Sequence, residues 1–285
     1  MNNINAIVTG ASEGLGFEIA KVFAKAGIGL SICARTETKI KNAENVISKF
    51  SNKKIHSKSV DISSESQIDK FIQESIAFHG SINILVNNAG IYGPKGEFES
   101  NNWEEWKNSI NINLMGNVYT IKKLIPHFKA QNFGKIIQLS GGGATSPLPN
   151  LTSYAVAKAG IVRFIETIAK ELSEFNIQAN SIAPGALNTR LLDEILNEGP
   201  EIIGEDFYNK SLKQKDDGGA DFKHACELAL FLATDMHPEI TGKLISAIWD
   251  NWNIFNSCKD DLRSSDVFTI TRIAGRDRNL SELDK

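Results

Sequence analysis

The stretch INAIVTGASEGLGFEIAKVFAKA, residues 4–26, combines a short apolar run, a glycine-rich turn and a segment with helical spacing of its apolar residues. The run at 4–9 predicts a buried strand, and residues 17–26 predict a helix. The turn at 9–16 therefore joins a strand directly to a helix. Because backbone amides at the start of a helix attract phosphate, and glycines let a ligand approach closely, this turn predicts a phosphate-binding loop.

The spacing of the glycines is G-x-x-x-G-x-G, which differs from the G-x-G-x-x-G fingerprint of many dinucleotide-binding proteins. A glycine turn alone is common, but its position after a first strand and before a helix favours a nucleotide site. The residues of the turn expected to bind the cofactor are Gly10, Ser12, Gly14, Leu15 and Gly16.

Similar apolar runs recur along the chain. They predict seven strands, at 4–9, 28–34, 54–60, 82–87, 135–140, 177–182 and 244–248. Segments of helical period lie between them, for example at 65–78 and 154–175. This alternation predicts an α/β fold: a single doubly wound sheet of about seven parallel strands with helices on both faces. We expect one domain at 1–250 and a C-terminal tail at 251–285.

Composition excludes several classes of function. With 285 residues and a net charge of −3, the chain has no basic surface that would predict nucleic-acid binding. The sequence predicts no signal peptide, no membrane span and no membrane partner. The odd number of cysteines favours a reducing cytoplasm. No histidines stand at metal-ligand spacing, so we expect no metal site. The cysteines and histidines are Cys33, Cys226, Cys258, His56, His79, His127, His224 and His237.

Ligands of such sheets bind beyond the carboxyl ends of the strands, so the residues there are candidate site residues. The second strand is followed by Arg35, where an acidic residue would bind a free ribose 2′-hydroxyl. Arg35 would instead give a 2′-phosphate a charge-assisted partner, which predicts NADP(H) as cofactor. NAD stays possible, because Glu13 lies near the same corner.

The third and fourth strands also end in candidate cofactor contacts. Asp61 and Ile62 follow the third strand, and Asn88, Ala89 and Gly90 follow the fourth. Two alternatives stay open. Asp61 could cap a helix, and Asn87 could stabilise the neighbouring strand.

In order and spacing, these motifs resemble those of the short-chain dehydrogenase/reductase family over about residues 4–248. The matching motifs are TGASEGLG at 9–16, NNAG at 87–90, Asn113, Tyr154 with Lys158, and Pro184 and Gly185 with Thr189. The resemblance implies a Rossmann-type fold and hydride transfer between a nicotinamide cofactor and a secondary alcohol or ketone. It also implies that Lys158 bonds the nicotinamide ribose, that Asn113 links Lys158 through water to solvent, and that Thr189 holds the carboxamide. Pro184 and Gly185 belong to the same cofactor contact.

Tyr154 and Lys158 are four residues apart, so they share one side of a helix. A phenol has a pKa of about 10, and a nearby ammonium group stabilises the phenolate. The pair therefore predicts a lowered pKa for Tyr154. Tyr154 would act as general acid when a ketone is reduced and as general base when an alcohol is oxidised.

The serine that the family places thirteen residues before the tyrosine, where it donates to the substrate oxygen, is Gly141 in this chain. Ser140 is one position away. Successive strand residues point to opposite faces, so only a bulge at the following glycines would turn its hydroxyl toward the site. We rank Ser140 first as the replacement donor.

Other donors stay open. Thr145 ranks second, and Ser146 and Ser153 are further hydroxyls nearby. The backbone amides of residues 141–143 could also bind the oxygen, as they do in many oxyanion holes. A substrate that supplies its own hydroxyl is a further possibility.

The leading hypothesis is thus an oxidoreductase for a small or medium-sized alcohol or ketone. Its substrate face is expected at Ile91, Tyr92, residues 142–150 and a flap at 190–220. The alternative is a cofactor-binding regulator that has lost turnover together with the serine. Small residues on the helix that begins near Tyr154 would let another helix approach closely, and the family resemblance implies a homodimer or homotetramer through this helix and the one around Asn113.

Overall fold

The computed structural model describes residues 4–236, 239–280 and 282. In these residues, seven parallel strands form one sheet in the order β3-β2-β1-β4-β5-β6-β7. The strands are β1 Asn5–Thr9, β2 Gly29–Ala34, β3 His56–Ser59, β4 Ile84–Asn87, β5 Gly134–Leu139, β6 Ile177–Ala183 and β7 Leu244–Ser246. The predicted doubly wound parallel sheet is confirmed.

Helices cover both faces of the sheet. They are α1 Gly14–Lys25, α2 Glu37–Ile47, α3 Glu65–His79, α4 Trp103–Ile110, α5 Asn117–Ala130, α6 Thr152–Glu171, α7 Arg190–Glu198, α8 Pro200–Ile203, α9 Glu205–Asp216, α10 Phe222–Thr234 and α11 Lys259–Ser264. A π-helical turn, Asn111–Gly116, joins α4 to α5. Short 3-10 turns lie at Ser48–Phe50, Phe98–Ser100, Trp252–Ser257 and Gly275–Arg278. None of the helices in the described ranges is long and apolar enough to cross a membrane.

Strand alternation divides the apolar core between the two faces. Val8 of β1 packs with α1 and α10, whereas its neighbour Ile7 packs with α3, α5 and α6. The same division recurs in β4, where Val86 and Leu85 face opposite sides. Both faces of these strands are therefore buried, which explains their nearly unbroken apolar sequence.

The chain reverses its winding direction between β1 and β4, which are neighbours in the sheet. At such a reversal, the connections that leave the two strands run to opposite faces and leave a crevice beyond the strand ends. The loops that follow the strands of this sheet meet at that crevice.

Among the predicted boundaries that differ from the structure, two have an identifiable consequence or cause. The first helix begins at Gly14 and not at residue 17, so the last three residues of the glycine turn are already helical. Strand β7 ends at Ser246 and not at residue 248, because the Ser246 hydroxyl accepts hydrogen bonds from the amides of Ile248 (3.3 Å) and Trp249 (3.1 Å) and bends the chain. The chain beyond this bend returns to the edge of the sheet, where the Leu244 amide donates to the Phe268 carbonyl at 2.7 Å.

Candidate active site

A cavity of about 840 Å³ opens at the carboxyl ends of the strands. Its volume lies within the range of about 300–1,000 Å³ that is typical of ligand pockets. Of the first-ranked catalytic and cofactor-binding residues, all but Gly16 and Asn113 line this cavity. The structure therefore brings together side chains that are separated by up to about 180 positions in the sequence.

The glycine turn forms the phosphate end of the cavity. Gly10 and Gly14 have φ angles of +63° and +61°, which favour glycine. A Cβ atom at Gly14 would meet only Thr189 Cγ2, at 3.9 Å, so the space above the turn is open. Where helix α1 starts, the side chain of its N-cap residue Glu13 does not bond the first amides, and the first turn has no acidic residue. These amides fit a phosphate group.

Asn88 fixes the shape of this turn. Its side-chain amide donates to the carbonyls of Thr9 (3.1 Å) and Gly10 (3.0 Å), while the Thr9 hydroxyl accepts from the backbone amides of Asn88 (3.0 Å) and Ala89 (3.1 Å). The segment after β4 thereby holds the segment after β1. Asn88 lines the cavity, but its side-chain amide is already engaged by the turn.

Gly16 packs behind the turn, and its predicted cofactor contact stays a prediction. It does not line the cavity, and a Cβ atom there would lie 2.3 Å from Asn88 Nδ2 and 2.6 Å from the Gly10 carbonyl oxygen. Glycine is needed at this position because α1 packs closely against Asn88 and the turn.

Charged side chains gather where the adenosine end of a dinucleotide is expected. Arg35 lines the cavity and is exposed, and within the described part of the chain it forms no salt bridge. Glu13 pairs with Lys39 at 2.8 Å and with Arg190 at 3.0 Å. The hydrogen bond from Lys39, with the charge of Arg190, holds the pKa of Glu13 below its usual value. The Glu13 carboxylate, which kept NAD possible in the sequence analysis, is thus paired with two cations.

Lys39 and Arg190 were missed by the sequence analysis. Lys39 lies in the first turn of α2, close behind Arg35, and helical geometry could have identified it. Arg190 is separated from Glu13 by 177 residues, and no local pattern signals their contact.

Asp61 and Asn87 both make local contacts, but not the ones that the alternatives describe: the cap residue of α3 is Ser64, and the Asn87 side chain bonds a helix and not a neighbouring strand. The Asp61 carboxylate accepts from the Ser63 amide at 2.9 Å and from the Ser63 hydroxyl at 2.7 Å, at the entrance to α3. The Asn87 side-chain amide donates to the Asn117 carbonyl at 3.1 Å and ties β4 to α5. Of the two, only Asp61 lines the cavity, next to Ile62.

Tyr154 and Lys158 lie on the first turns of α6 and face the end of β5. The Lys158 ammonium donates to the Leu139 carbonyl at 2.9 Å and lies 5.4 Å from the centre of the Tyr154 ring. Burial lowers the pKa of Lys158 to about 8. Burial, together with the neighbouring phenol of Tyr92, raises the pKa of Tyr154 above its ordinary value.

The predicted lowering of the Tyr154 pKa is therefore wrong for this structure. The reason is that burial removes water from the phenolate and so destabilises it. The edge of the Tyr92 ring contacts the Tyr154 ring, with centroids 4.7 Å apart and planes at 66°, and it removes further water. Tyr154 is consequently held as a protonated phenol.

The residues around the missing serine occupy different places. Ser140 is 95 % buried and lines the cavity, and its hydroxyl has no hydrogen-bond partner among the described residues. Thr145 and Ser146 are exposed and lie in a separate surface groove. Ser153 is buried, and its hydroxyl donates to the Tyr92 carbonyl at 3.5 Å. Of these hydroxyls, only that of Ser140 belongs to a residue of the cavity wall.

Asn113 lies behind the cavity, in the π-helical turn. Its side chain is fully buried and binds both backbone groups of Ile91, accepting from the amide at 3.0 Å and donating to the carbonyl at 2.8 Å. It also donates to the Ser109 hydroxyl at 3.1 Å. Asn113 thereby fixes the loop that carries Tyr92. Its predicted link to Lys158 through water stays a prediction.

The expected absence of a metal site stays a prediction. Among the described residues, no group of three or more His, Cys, Asp or Glu side chains is placed to hold one. His237 lies outside the described residues.

Sequence comparison agrees with this combination of fold and site. The family model of the short chain dehydrogenases matches residues 4–199. A match over this much of the chain establishes membership: the protein belongs to the short chain dehydrogenase family, which is a family of oxidoreductases.

Two relatives illustrate the range of the family. The chain is 33% identical over 247 residues to the 3-oxoacyl-[acyl-carrier-protein] reductase FabG of Chlamydia trachomatis, covering 86% of this chain and 95% of the relative. It is 28% identical to the D-beta-hydroxybutyrate dehydrogenase of Rhizobium meliloti, covering 85% and 95%.

Solved structures support the fold. NAD+-bound xylitol dehydrogenase superposes with a TM-score of 0.79 at 22% identity, covering 86% of this chain and 97% of the other. Actinorhodin polyketide ketoreductase with NADPH superposes with a TM-score of 0.78 at 22% identity, covering 86% and 95%.

Proposed function

We propose that this protein is an NADP(H)-preferring oxidoreductase that interconverts a secondary alcohol and a ketone. The observation that carries the proposal is the presence of the Tyr154 phenol and the Lys158 ammonium in the same cavity as the glycine turn. The nicotinamide cofactor, when bound, supplies or accepts the hydride. Tyr154 donates its phenolic proton to the ketone oxygen in reduction, and its raised pKa keeps that proton available at neutral pH.

The remaining residues have positioning roles in this proposal. The amides at the start of α1 bind the pyrophosphate, and Lys158 and Thr189 hold the nicotinamide half. Ser140 donates a second hydrogen bond to the ketone oxygen, because its buried hydroxyl has no other partner among the described residues. A fully unpaired buried hydroxyl is costly, and a substrate oxygen would satisfy it.

The preference for NADP(H) rests on the charges near the adenosine end. Arg35 is available to a 2′-phosphate, and the pairing of Glu13 with Lys39 and Arg190 reduces its repulsion of that phosphate. Of the solved neighbours, one holds NAD+ and another holds NADPH, so the proposed preference rests on these charges.

The cavity wall favours an uncharged substrate with an apolar part. Its apolar residues near Tyr154 are Ile91, Tyr92, Leu148, Ile195 and Phe207. Four cationic residues line the cavity: Arg35, Lys39, Lys158 and Arg190. Lys39 and Arg190 are paired with Glu13. Arg35 is assigned to the 2′-phosphate in this proposal, and Lys158 donates to the Leu139 carbonyl. Among the described residues of the cavity wall, no cation is therefore left to bind a substrate carboxylate at the reacting end.

Assembly and location stay predictions. Exposed apolar side chains on α4, the π-helical turn and α6, at Trp103, Met115 and Val156, support a homodimer or homotetramer, which sedimentation velocity of the full chain would measure. Cysteine usage continues to favour a cytoplasmic location, and fractionation of cells that express the chain would test it.

Hydride transfer from NADPH and from NADH to a panel of apolar ketones, keto sugars and keto acids tests the proposal. We expect kcat/KM with NADPH to exceed that with NADH, and Arg35→Ala to remove the difference. Tyr154→Phe should lower turnover by about 10²–10⁴ while NADPH binding persists. Ser140→Ala should lower turnover by about 10²-fold or more if its hydroxyl is the second donor.

A wild-type protein that binds NADPH but reduces no member of the panel would contradict the proposal and favour the regulator. Retained turnover in Tyr154→Phe would also contradict it, since the phenol would then not be the acid.

A further inference from the structure

The space that a side chain at position 141 would occupy is filled by the hydroxyl of Tyr154. A Cβ atom built on Gly141 would lie 2.2 Å from Tyr154 Oη and 3.1 Å from Cζ. Both distances are shorter than normal contacts between non-bonded carbon and oxygen atoms or between carbon atoms. The neighbouring Gly142 differs, because a Cβ atom there would meet only Leu148 Cδ2, at 3.9 Å.

Neither side of this contact is free to move away. On the strand side, the Ser140 amide donates to the Ile182 carbonyl at 2.8 Å, which fixes the end of β5 against β6. On the helix side, Lys158 ties α6 to the Leu139 carbonyl, one turn after Tyr154. The Tyr154 ring is 93 % buried and has the Tyr92 ring against it.

We infer that Gly141 is a positioning residue: the absence of a side chain there allows the Tyr154 hydroxyl to reach the end of β5. This inference rests on the proposed function, in which Tyr154 is the general acid. On this account, Gly141 is not a position that has lost a hydrogen-bond donor. A serine at 141 would displace the phenol before its own hydroxyl could help.

Activity of Gly141→Ala and Gly141→Ser provides the first test. A displacement of about 1 Å at a reacting group can cost on the order of 10² in rate. We therefore expect both variants to lose about that factor in kcat, with NADPH affinity unchanged, because the phosphate end of the cavity is untouched. If Gly141→Ser turned over faster than the wild type, position 141 would be a vacant donor position and the inference would be overturned.

A double-mutant cycle provides a second test that does not depend on turnover. Gly141→Ala should lower the Tm in the wild type, and it should lower it much less in the Tyr154→Phe background, where the hydroxyl is absent. Gly142→Ala controls for the loss of glycine flexibility in the unfolded chain and should not lower the Tm. If Gly141→Ala folds only together with Tyr154→Phe, the contact is supported.

If Gly141→Ala lowered the Tm equally in the wild type and in Tyr154→Phe, or prevented folding in both, the inference would be overturned. A wild type that reduces no ketone, combined with clear coupling in the cycle, would contradict the proposed function and leave the contact between Gly141 and Tyr154 established.

Discussion

Lys158 carries its ammonium group inside the protein, where burial lowers its pKa to about 8 from an ordinary value of 10.5. The folded state therefore binds fewer protons than the unfolded state between these two pH values. The contribution of Lys158 to the free energy of unfolding is fully present above pH 10.5 and is lost as the pH falls through about 8. At neutral pH the charged lysine therefore lowers the free energy of unfolding. The proposed reaction requires this charge.

The rate of ketone reduction should fall as the pH rises through about 8, because Lys158 then loses its charge while Tyr154 stays protonated. The profile of kcat/KM reports the free enzyme, and a single ionisation gives a decline of about tenfold per pH unit. Lys158→Arg keeps its charge over this range and should move the decline to higher pH. If kcat/KM stayed constant up to a pH near the pKa of a free lysine, the charge of Lys158 would not be required.

How far sequence predicts a single residue depends on whether its role is local. Tyr154 and Lys158 were predicted because helical spacing alone places both on one side of α6. The direction of the Tyr154 pKa shift was predicted wrongly, because the shift depends on burial of the phenol, to which Tyr92 from the loop after β4 contributes. Gly16 shows the same limit, because a glycine is required there by close packing against Asn88, which follows strand β4.

Helices α7 and α9 within the flap (residues 190–220) lie against the cavity, where Ile195 and Phe207 pack with Tyr92. Arg190 at the start of α7 reaches Glu13 in the glycine turn, so this ion pair connects the flap to the phosphate end. The pair is about half exposed, with side-chain exposures of 51% and 44%. Exposed ion pairs contribute about 0.2–1 kcal/mol, so the connection is weak enough to open for a ligand.

Arg190→Ala should speed the dissociation of NADPH. Loss of an ion pair worth up to about 1 kcal/mol corresponds to an increase of about fivefold at most in the dissociation rate. High salt should remove the difference between Arg190→Ala and wild type, because it screens the ion pair. Stopped-flow fluorescence at low and at high salt would measure it. Glu194→Gln is the matched control, because Glu194 pairs with Arg190 within α7 but does not contact the turn. Equal dissociation rates for Arg190→Ala and wild type at low salt would show that the ion pair does not hold the flap.

At the scale of the molecule, strand and helix order could be predicted because each buried parallel strand needs its own apolar run. The course of residues 251–285 could not, since no periodic pattern marks it. In the structure, the segment 265–270 runs along the edge strand β7: the Lys243 ammonium donates to the carbonyls of Ser265 (3.0 Å) and Val267 (2.9 Å). The Ile270 amide donates to Glu166 on α6 at 2.7 Å.

Phe268 holds this segment in place, and its removal should destabilise the whole domain. Its ring stacks on Phe255 with centroids 5.4 Å apart, and its carbonyl accepts from Leu244 of β7. Phe268→Ala should lower the free energy of unfolding by about 2 kcal/mol, less than the 3–5 kcal/mol of a fully buried Phe. Alanine is as strained as phenylalanine at the observed φ of +60°, so the loss measures packing alone.

Thermal unfolding beside the control Ile273→Ala, whose side chain is 57% exposed, would measure this loss. Release of the segment should also uncover the backbone groups of β7, and an open strand edge promotes association between copies, which light scattering would detect. Equal Tm values for the two variants, with no increase in scattering for Phe268→Ala, would show that β7 and its sheet are stable without the cover that residues 265–270 provide.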